Sequence, residues 1–569
     1  MSLSRTLTPA PDYPDVGNPD LLDRIPLDAD VVLDVGCHKG ALGAAYRLRN
    51  PRARVLGVDH MPEAVRVAAG RLSEVACIDI ESDPLPFEVP DGYDCIIYGD
   101  VLEHLRDPWR IMREHAKLLS PRGVMLICVP NAAHWSVPLR LINGTFDYED
   151  QGVLDRTHLR WFTLATMEKA LAQTGLQACD VTPRTFDQKG AETAADLLKD
   201  VLPAMGLSRE NFLARSAPMQ FIWRARKTPA QPIAIRSTML KPFAAVSDIR
   251  VIYPMRALKT DPSVSVQVGD IDTFPQPSER QPAICVLHRP LLVGDEGVAV
   301  FRHLMQRGFL VVTEFDDLPD FMPQLRDERL MNFRAAHAVQ TSTPVLAEAL
   351  RQQNPEVAIF PNGISELRPI VNFMTPGSVT LFFGALNRTV DWQPYMPVLN
   401  AAAAALGAQL QFQVVYDQAF FDALETPHKS FTPLCDHRTY MSLLAQSEIS
   451  FMPLLDSAFN RAKSDLKYIE AASARVVPLA SPTVYGDSIE DGVTGLIFRS
   501  ESDLYEKIIR LVTAPGLGIT IGNAARQSVA QARMDAYGVA DRVAWYRSLL
   551  DRREELTRAI YDRVPELAP

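Results

Sequence analysis

The chain has 569 residues, which is too long for one hydrophobic core, and a size of about 150 residues per domain predicts three or four domains. Its composition is ordinary for a globular protein, with 47% hydrophobic and 22% charged residues. The net charge of −11 argues against a general binder of nucleic acid or of anionic membranes, although it leaves room for a local basic pocket.

Cysteine usage and the N-terminal residues favour a reducing cytoplasm. The seven cysteines form no C-x-x-C pair. Four of them lie in or beside apolar runs, where a thiol behaves as a small hydrophobe. The first residues contain no apolar signal core, and the chain has no apolar run of about 18 residues. We therefore expect a soluble, cytoplasmic protein, and peripheral work at a membrane surface remains open.

Short apolar runs alternate with helix-period segments over residues 1–228. Runs of this kind predict buried parallel strands, and their alternation with helices predicts a doubly wound sheet that binds ligands at the carboxyl ends of its strands. A closing strand is expected at 217–227. The other predicted strands are 31–36, 53–59, 75–80, 94–100 and 124–130, and the predicted helices are 62–74, 107–120 and 163–175.

Two further sets of α/β units follow, separated by turn residues at 361–363 that predict a hinge. The expected fold class is therefore α/β, with three Rossmann-like units. Their predicted strands are 283–288, 309–317, 338–342, 357–363, 379–386, 410–417, 449–455, 476–481 and 494–498. The expected boundaries are a linker at 229–234, one half at 235–362, the other half at 363–545, and a charged helical tail at 546–569.

A glycine-rich turn follows the first predicted strand, in the sequence LDVGCHKG at 33–40. Glycines there let a cofactor approach the backbone. Asp34 suits a cationic sulfonium or an amino group and would be unhelpful beside a pyrophosphate. Asp59 ends the second strand, where it can accept hydrogen bonds from ribose hydroxyls, and Asp79 ends the third, where it can receive an adenine amino group. A single strand-end aspartate is usually a helix cap, so the prediction rests on the whole set.

This pattern resembles the class I S-adenosylmethionine-dependent methyltransferases. The resemblance continues through residues 85–87, 93–108 and 118–131, and it implies a methyltransferase domain over 1–228. One position departs from the family's D-x-G-x-G-x-G, because His38 replaces the second glycine and narrows the approach to the cofactor. A domain that has lost cofactor binding is the alternative. The residues implied to line the cofactor pocket are Asp34, Gly36, Gly40, Asp59, Asp79 and Asp100.

The acceptor side is expected in residues 130–163, directly after the fifth strand. This stretch resembles methyltransferases of surface-glycan and lipid-linked sugar biosynthesis, in which a D-x-T-H-L-R-x-F sequence recurs. His134 and His158 are the candidate bases, since an imidazole titrates near neutral pH. The alternative is that His158 and Arg160 only anchor the lid loop. His104 is expected to cap or brace the helix after the fourth strand.

Residues 235–545 resemble the retaining GT-B glycosyltransferases, the group that includes sucrose and glycan synthases. The likeness lies in 360–364, 382–392, 459–481 and 485–498. Lys463, Lys467 and Glu470 stand at i, i+4 and i+7, which predicts one shared helical face. The two cations suit a nucleotide diphosphate, and Glu470 suits ribose hydroxyls. The loop that carries Gly384 and Arg388 is expected to hold the departing diphosphate without a metal ion.

The glycosyltransferase pattern is incomplete. The first glutamate of the family's E-x7-E is Ala462, and its phosphate-loop pair is reduced to Arg388, with Lys463 as a candidate replacement. His288 is only a guess for an acceptor-site histidine. Asp316 and Asp317 invite comparison with a metal-binding D-x-D, but their place in the chain favours a loop and helix cap. We therefore predict no metal site.

Together these features predict a bifunctional enzyme of glycan biosynthesis. It would use S-adenosylmethionine to methylate a sugar hydroxyl and a nucleotide diphosphate sugar as glycosyl donor. Its partner would be a glycan or a lipid-linked sugar of a surface polysaccharide or lipopolysaccharide, with no nucleic acid. One alternative is an active methyltransferase joined to a glycosyltransferase-like module that only recognises glycan. The other is a methyltransferase of small molecules.

Overall fold

The computed structural model describes residues 15–239, 244–327, 329–371 and 377–569. The segment 1–14, in which no signal core is expected, lies outside the described residues. Contacts divide the chain into two compact units, one of residues 1–47 and 52–230 and the other of residues 48–51 and 231–569. A strand already begins at Ile233, inside the stretch predicted as linker.

The first unit is built on a seven-stranded sheet in the order β3-β2-β1-β4-β5-β7-β6. Strands β1 to β5 pair in parallel, whereas β7 runs antiparallel to both β5 and β6. Chain order reverses between β1 and β4, which opens a crevice at the carboxyl ends of these strands. The strands are β1 Val31–Val35, β2 Arg54–Asp59, β3 Glu74–Cys77, β4 Tyr93–Gly99, β5 Leu119–Pro130, β6 Gln177–Arg184 and β7 Gln220–Arg226.

Helices cover both faces of this sheet and bury two apolar clusters, one against each face. The expected α/β class is thereby confirmed for this unit. The helix from 164 begins on a capping box in which Thr163 and Thr166 bond each other's backbone N–H groups. The helices are α1 Pro19–Leu22, α2 Ala41–Arg49, α3 Pro62–Ala68, α4 Pro108–Lys117, α5 Ser136–Ile142, α6 Leu164–Gln173, α7 Gln188–Leu197 and α8 Arg209–Ser216.

The second unit contains two six-stranded sheets, each wholly parallel, as the predicted Rossmann-like halves require. The first sheet has the order β13-β12-β11-β10-β8-β9 and the second β16-β15-β14-β17-β18-β19, so chain order reverses beside β8 and beside β14. The strands are β8 Ile233–Ser237, β9 Val264–Val268, β10 Ala283–His288, β11 Leu310–Glu314, β12 Ala338–Thr341, β13 Val357–Ile359, β14 Val379–Gly384, β15 Leu410–Val415, β16 Lys429–Thr432, β17 Ile449–Met452, β18 Val477–Ala480 and β19 Leu496–Ile497.

The predicted C-terminal tail is part of a core. Ile560, Val564 and Leu567 pack with Phe301 and Phe309 of the first half, so the chain returns to that half at its end. The helices of the second unit are α9 Ala244–Ser247, α10 Tyr253–Lys259, α11 Gly294–Gln306, α12 Pro323–Asp327, α13 Met331–Arg334, α14 Pro344–Arg351, α15 Thr389–Trp392, α16 Met396–Leu406, α17 Gln418–Ala423, α18 His437–Ala445, α19 Ala458–Arg461, α20 Leu466–Ser473, α21 Glu501–Thr513, α22 Pro515–Ala532, α23 Val539–Asp551 and α24 Arg553–Arg563.

No single helix among the described residues has the length and apolar character needed to cross a membrane. Two helices, Glu501–Thr513 and Gly516–Ala532, meet those criteria only as a pair bent by 103°.

Candidate functional site

The turn after β1 is built on three residues with positive φ, namely Gly36 at +70°, His38 at +47° and Gly40 at +76°. A Cβ on Gly36 would lie 2.6 Å from Cγ2 of Val101, so space as well as conformation requires glycine there. His38 adopts the same left-handed region with a side chain, which costs about 1 kcal/mol. The chain therefore keeps the glycine-turn geometry at the one position where the sequence departs from the pattern.

Asp59, at the end of the neighbouring strand β2, stabilises this turn by hydrogen bonds. Its carboxylate accepts hydrogen bonds from the backbone N–H of His38 at 2.8 Å and of Met61 at 2.9 Å, and it is buried. These bonds fix the turn before any ligand arrives. The role of Asp59 toward ribose hydroxyls stays a prediction, because each carboxylate oxygen keeps a further lone pair.

Asp34 lies in β1 at the point where the strand order reverses, beside Gly57 and Ile97 of the flanking strands. It is 4% exposed, and its carboxylate has no ion-pair partner among the described residues. Burial raises the pKa of Asp34 to about 7, and the nearby charge of Asp59 adds to the effect. A cationic ligand would restore the ionised form.

The remaining predicted cofactor residues differ in their surroundings. Asp100 follows β4 with a φ of +58°, and its carboxylate accepts a hydrogen bond from Gln220. Burial raises the pKa of Asp100 to about 6. Asp79 is exposed, and its side chain accepts a bond from the N–H of Glu81 in the turn after β3. The sheet thus brings Asp34, Asp59 and Asp100 to one edge, with Asp79 on its outer side.

The predicted lid runs across the carboxyl ends of β4 and β5. The N–H groups of Leu159 and Arg160 donate to the carbonyl of Glu103 at 2.7 and 3.0 Å, and Phe162 pairs with Asn131 after β5. Arg160 also donates to the carbonyl of Arg106. This segment is therefore anchored by its backbone, in agreement with the anchoring interpretation of Arg160.

Both candidate bases are buried in that region. Nδ1 of His134 lies 2.8 Å from Oγ of Ser136, whereas its Nε2 is buried and has no partner among the described residues. Burial lowers the pKa of His134. Nδ1 of His158 lies 3.1 Å from the carbonyl of Val153. Nδ1 of His104 lies 3.3 Å from the carbonyl of Thr157, so this side chain contacts the lid, and its role in bracing the helical turn after β4 stays a prediction.

Three aromatic side chains form an exposed patch on the lid, which we call the lid aromatic patch. The ring centroids of Phe146 and Tyr148 are 5.7 Å apart, and those of Phe146 and Trp161 are 6.3 Å apart. All three rings are more than a third exposed. Exposed apolar patches are typical of interaction surfaces.

The second unit has a cleft of about 270 Å³ lined by residues that follow strands of both of its sheets. Gly384 and Arg388 contribute from the end of β14, where the strand order reverses. A Cβ on Gly384 would lie 2.5 Å from the ring of Tyr440, so only glycine fits there. Arg388 donates to Asp391 at 3.2 Å and to Asn460 at 2.8 Å, which fixes its guanidinium beside the cleft.

Lys463, Lys467 and Glu470 do not share one helix, contrary to the prediction. Helix α20 begins at Leu466, so Lys463 lies in the loop that precedes it, although both lysines still line the cleft. Glu470 is fully buried, and its carboxylate bonds His437 at 2.9 Å and Lys467 at 3.1 Å. Glu470 thereby holds Lys467 in place, and its role toward ribose stays a prediction.

Asp316 and Asp317 are ion-pairing residues and not helix caps, so that expectation was wrong. Asp316 and Asp317 pair with the guanidinium of Arg289, and Asp317 also pairs with Lys463. All four groups line the cleft. Sequence reasoning missed Arg289, whose φ of +46° is the local sign of its constrained position.

Two further positions of the glycosyltransferase pattern, Ala462 and His288, lie in buried surroundings. Ala462 packs among Phe315, Phe333 and Leu346, so a charged side chain at this position would face apolar neighbours. His288 is also buried, and neither ring nitrogen has a partner among the described residues. Burial lowers the pKa of His288 to about 4. The guess that His288 serves the acceptor site stays a prediction.

Sequence comparison supports the interpretation of the first unit as a methyltransferase domain. Residues 15–181 match the family model of a methyltransferase domain. Trans-aconitate 2-methyltransferase of Escherichia coli O17:K52:H18 is 30% identical over 138 residues, which are 23% of this chain and 53% of that protein. The enzyme of the same name from Shigella dysenteriae serotype 1 is 29% identical over 138 residues, again 23% of this chain and 53% of that protein. The chain thus spans about half the length of these curated relatives.

Structural comparison returns distant neighbours. Anabaena Alr3699/HepE in complex with UDP and glucose aligns with 56% of this chain and 100% of its own at 13% identity, with a TM-score of 0.39. A mutant of S. aureus TarM, solved with Fondaparinux, alpha-GlcNAc-glycerol and UDP, aligns with 46% of this chain and 55% of its own at 12% identity, with a TM-score of 0.36. From the family match and the sheet topology, the chain carries a methyltransferase domain at its N-terminus, followed in sequence by two Rossmann-like α/β halves.

Proposed function

We propose that the first unit binds S-adenosylmethionine and transfers its methyl group to a sugar hydroxyl. The observation that supports cofactor binding most is Asp34, a buried carboxyl with a pKa of about 7 and no cationic partner among the described residues. A sulfonium and an α-amino group supply positive charge. Because Asp34 lies where the strand order reverses, such a ligand would lie in the crevice that this fold uses for binding.

Methyl transfer needs one proton acceptor and close positioning of the two reactants. The acceptor oxygen attacks the methyl carbon, the carbon–sulfur bond breaks, and sulfur keeps the electron pair as a neutral thioether. Nε2 of His134 is our candidate for the hydroxyl proton, because burial lowers its pKa and keeps the imidazole neutral. His158 is the second candidate.

The lid favours a sugar acceptor. Sugar rings present C–H faces that pack on aromatic rings, and the lid aromatic patch offers three of them. A polycarboxylate such as trans-aconitate, which the names of the curated relatives specify for those proteins, would need unpaired cations. Among the lid arginines, Arg140 pairs with Glu149 and Arg156 with Asp150. Arg160 donates to backbone carbonyls. We therefore rank a small carboxylate second.

For the second unit we propose transfer of a sugar from a nucleotide diphosphate donor. The observation that supports it is the row of three cationic side chains along the cleft, Arg388, Lys463 and Lys467. Such cations compensate the charge of a departing diphosphate. The sugar would pass to an acceptor hydroxyl as the bond to the diphosphate oxygen breaks. A module that only recognises glycan is the alternative.

The test uses the full chain, purified and folded. The acceptor panel for radiolabelled S-adenosylmethionine contains sugars, oligosaccharides and trans-aconitate, with Asp34→Ala as the inactive control. We expect label in carbohydrate, and label only in trans-aconitate would contradict the sugar assignment.

The glycosyltransferase proposal is tested separately, by measuring turnover of UDP-sugars and GDP-sugars. If neither donor is consumed and neither UDP nor GDP raises the melting temperature, the glycosyltransferase proposal fails. Comparing cellular glycans with and without the gene should reveal a lost O-methyl sugar.

A further inference from the structure

A buried carboxylate without a partner lies beside the proposed methyl-transfer site. Glu103 belongs to the short 3-10 turn Leu102–His104 that follows β4. It is 1% exposed, and neither of its carboxylate oxygens has a hydrogen-bond partner among the described residues. Buried polar groups are almost always paired, so an orphaned carboxylate calls for a ligand.

Two histidines each place a ring nitrogen within 4.8 Å of a carboxylate oxygen of Glu103. Nδ1 of His104 lies 3.3 Å from the carbonyl of Thr157, and Nδ1 of His158 lies 3.1 Å from the carbonyl of Val153. A carbonyl oxygen only accepts, so each Nδ1 carries the hydrogen and each Nε2 keeps a lone pair. Metal-binding histidines are oriented by this same arrangement, in which the non-ligating nitrogen donates to a carbonyl.

The three side chains are close enough to share one ion. One ligand atom from each of Glu103, His104 and His158 lies within 4.8 Å of the other two. A metal bound at about 2.0–2.2 Å holds its donors about 3–3.5 Å apart, so only small side-chain movements are needed. The ring centroids of the two histidines are 4.9 Å apart in an edge-to-face arrangement, so the two rings lie directly against each other.

We propose that Glu103, His104 and His158 bind one divalent metal ion. Two imidazole nitrogens and one carboxylate suit a transition metal such as Zn²⁺ or Mn²⁺. Three protein ligands leave coordination positions open. The lid supplies His158 and the β4 turn supplies the other two, so the ion would join the lid to the cofactor-binding edge of the sheet.

The role of this ion rests on the proposed methyl transfer. An open coordination position would receive the acceptor hydroxyl and lower its pKa, as a Lewis acid does. The hydroxyl proton passes to His134, the oxygen attacks the methyl carbon, and the sulfur keeps the electrons of the broken bond. The ion keeps its oxidation state throughout. His158 is then a ligand, and His134 is the base.

The test measures metal directly, on the full chain after treatment with a chelator. Zn²⁺ and Mn²⁺ are titrated by calorimetry without cofactor or acceptor, and Co²⁺ serves as a spectroscopic probe of the ligands. We expect one ion per chain, and affinity reduced by at least about 100-fold in Glu103→Gln and in His158→Gln. His60→Gln is the matched control, because that imidazole is 79% exposed and is not one of the three proposed ligands.

Failure of the metal site and failure of the methyltransferase proposal are separable. Absence of stoichiometric metal in the wild type would overturn the inference, as would equal affinity in Glu103→Gln and the wild type. Melting temperatures of the metal-free variants show whether each one folds. The hydroxyl-binding role of the ion is supported if methylation depends on metal and the acceptor KM rises when metal is removed. Methylation that a chelator leaves unchanged overturns that role. If metal binds and S-adenosylmethionine does not, the metal site stands and the proposed function falls.

Discussion

The carboxylate of Asp59 accepts a 2.8 Å hydrogen bond from the backbone N–H of His38, which joins the end of β2 to the middle of the turn after β1. His38 lies there with a φ of +47°. The bond therefore stabilises a backbone conformation that the side chain of His38 disfavours. The glycine turn tolerates this substitution because a neighbouring strand fixes its shape.

Replacing His38 by glycine should relieve that conformation. A side chain in the left-handed region costs about 1 kcal/mol, so we expect His38→Gly to have a free energy of unfolding about 1 kcal/mol above that of His38→Ala. Urea unfolding of the two variants measures the difference. Affinity for S-adenosylmethionine should equal or exceed that of the wild type, because the side chain narrows the approach. An alanine variant as stable as the glycine variant would contradict this.

Asp34 should make stability depend on pH. Its pKa is about 7 in the folded chain, against about 4 when unfolded, because burial favours the protonated form. The contribution of Asp34 to the free energy of unfolding is therefore fully present below about pH 4. It is lost as the pH rises through about 7, and the total change is up to about 4 kcal/mol. Asp34→Asn should lack this component. Thermal unfolding without cofactor at several pH values measures it, and parallel pH profiles of the two proteins would refute the prediction.

The same carboxyl should couple cofactor binding to proton release. A cation favours the ionised form of Asp34, so binding of S-adenosylmethionine lowers its pKa and releases up to one proton below about pH 7. Affinity should therefore rise with pH up to about 7 and then level off. Calorimetry in buffers of different ionisation enthalpy counts the protons. Asp34→Asn should bind more weakly and release none.

The ion pair between Asp317 and Lys463 should compete with a nucleotide diphosphate. Removing the acid by Asp317→Asn frees the ammonium, and partly exposed pairs are worth up to about 1 kcal/mol, so affinity should rise about two- to fivefold. Lys463→Ala should weaken binding. Asp456→Asn is the control, since its pair with Arg461 is mostly exposed. Unchanged affinity for UDP and GDP in Asp317→Asn would refute the competition.

Glu470→Gln should destabilise the second unit and weaken nucleotide binding together. Burial acts to raise the pKa of Glu470, but Lys467 and His437 outweigh it and hold that pKa below its usual range. Breaking a buried pair costs about 3–5 kcal/mol, and Lys467 would lose its anchor. Thermal unfolding and UDP titration measure both effects. Glu555→Gln changes an exposed acid and serves as the control. A variant with wild-type stability would contradict the role given to Glu470.

The sequence indicated the elements that continuous apolar runs define. Strands β1, β2, β4 and β5 are buried along most of their length, so their composition alone marked them. Strand β6 is half-exposed and has no such run, and polar Arg236 and Ser237 interrupt β8, so both were missed. Partial exposure in β6 and buried polar residues in β8 each remove the continuous apolar run that marks a strand in a sequence.

The sequence predicted site residues that are close to one another in the chain. It did not predict contacts between residues that are far apart in the chain. The glycine turn and Asp34 lie in one short stretch, so their relation was visible. The partners of Asp317 and Glu470 come from distant segments, and no local pattern marks them. Glu103 carried no signal beyond its neighbour His104, because its distinguishing property is burial without a partner.

Cofactor binding by the first unit is best tested by a calorimetric titration of the full chain with S-adenosylmethionine, repeated with Asp34→Asn and Asp59→Ala. We predict saturable binding of one cofactor per chain in the wild type and markedly weaker binding in both variants. No binding by the folded wild-type chain, or equal binding by all three proteins, would show that Asp34 and Asp59 do not form a cofactor site.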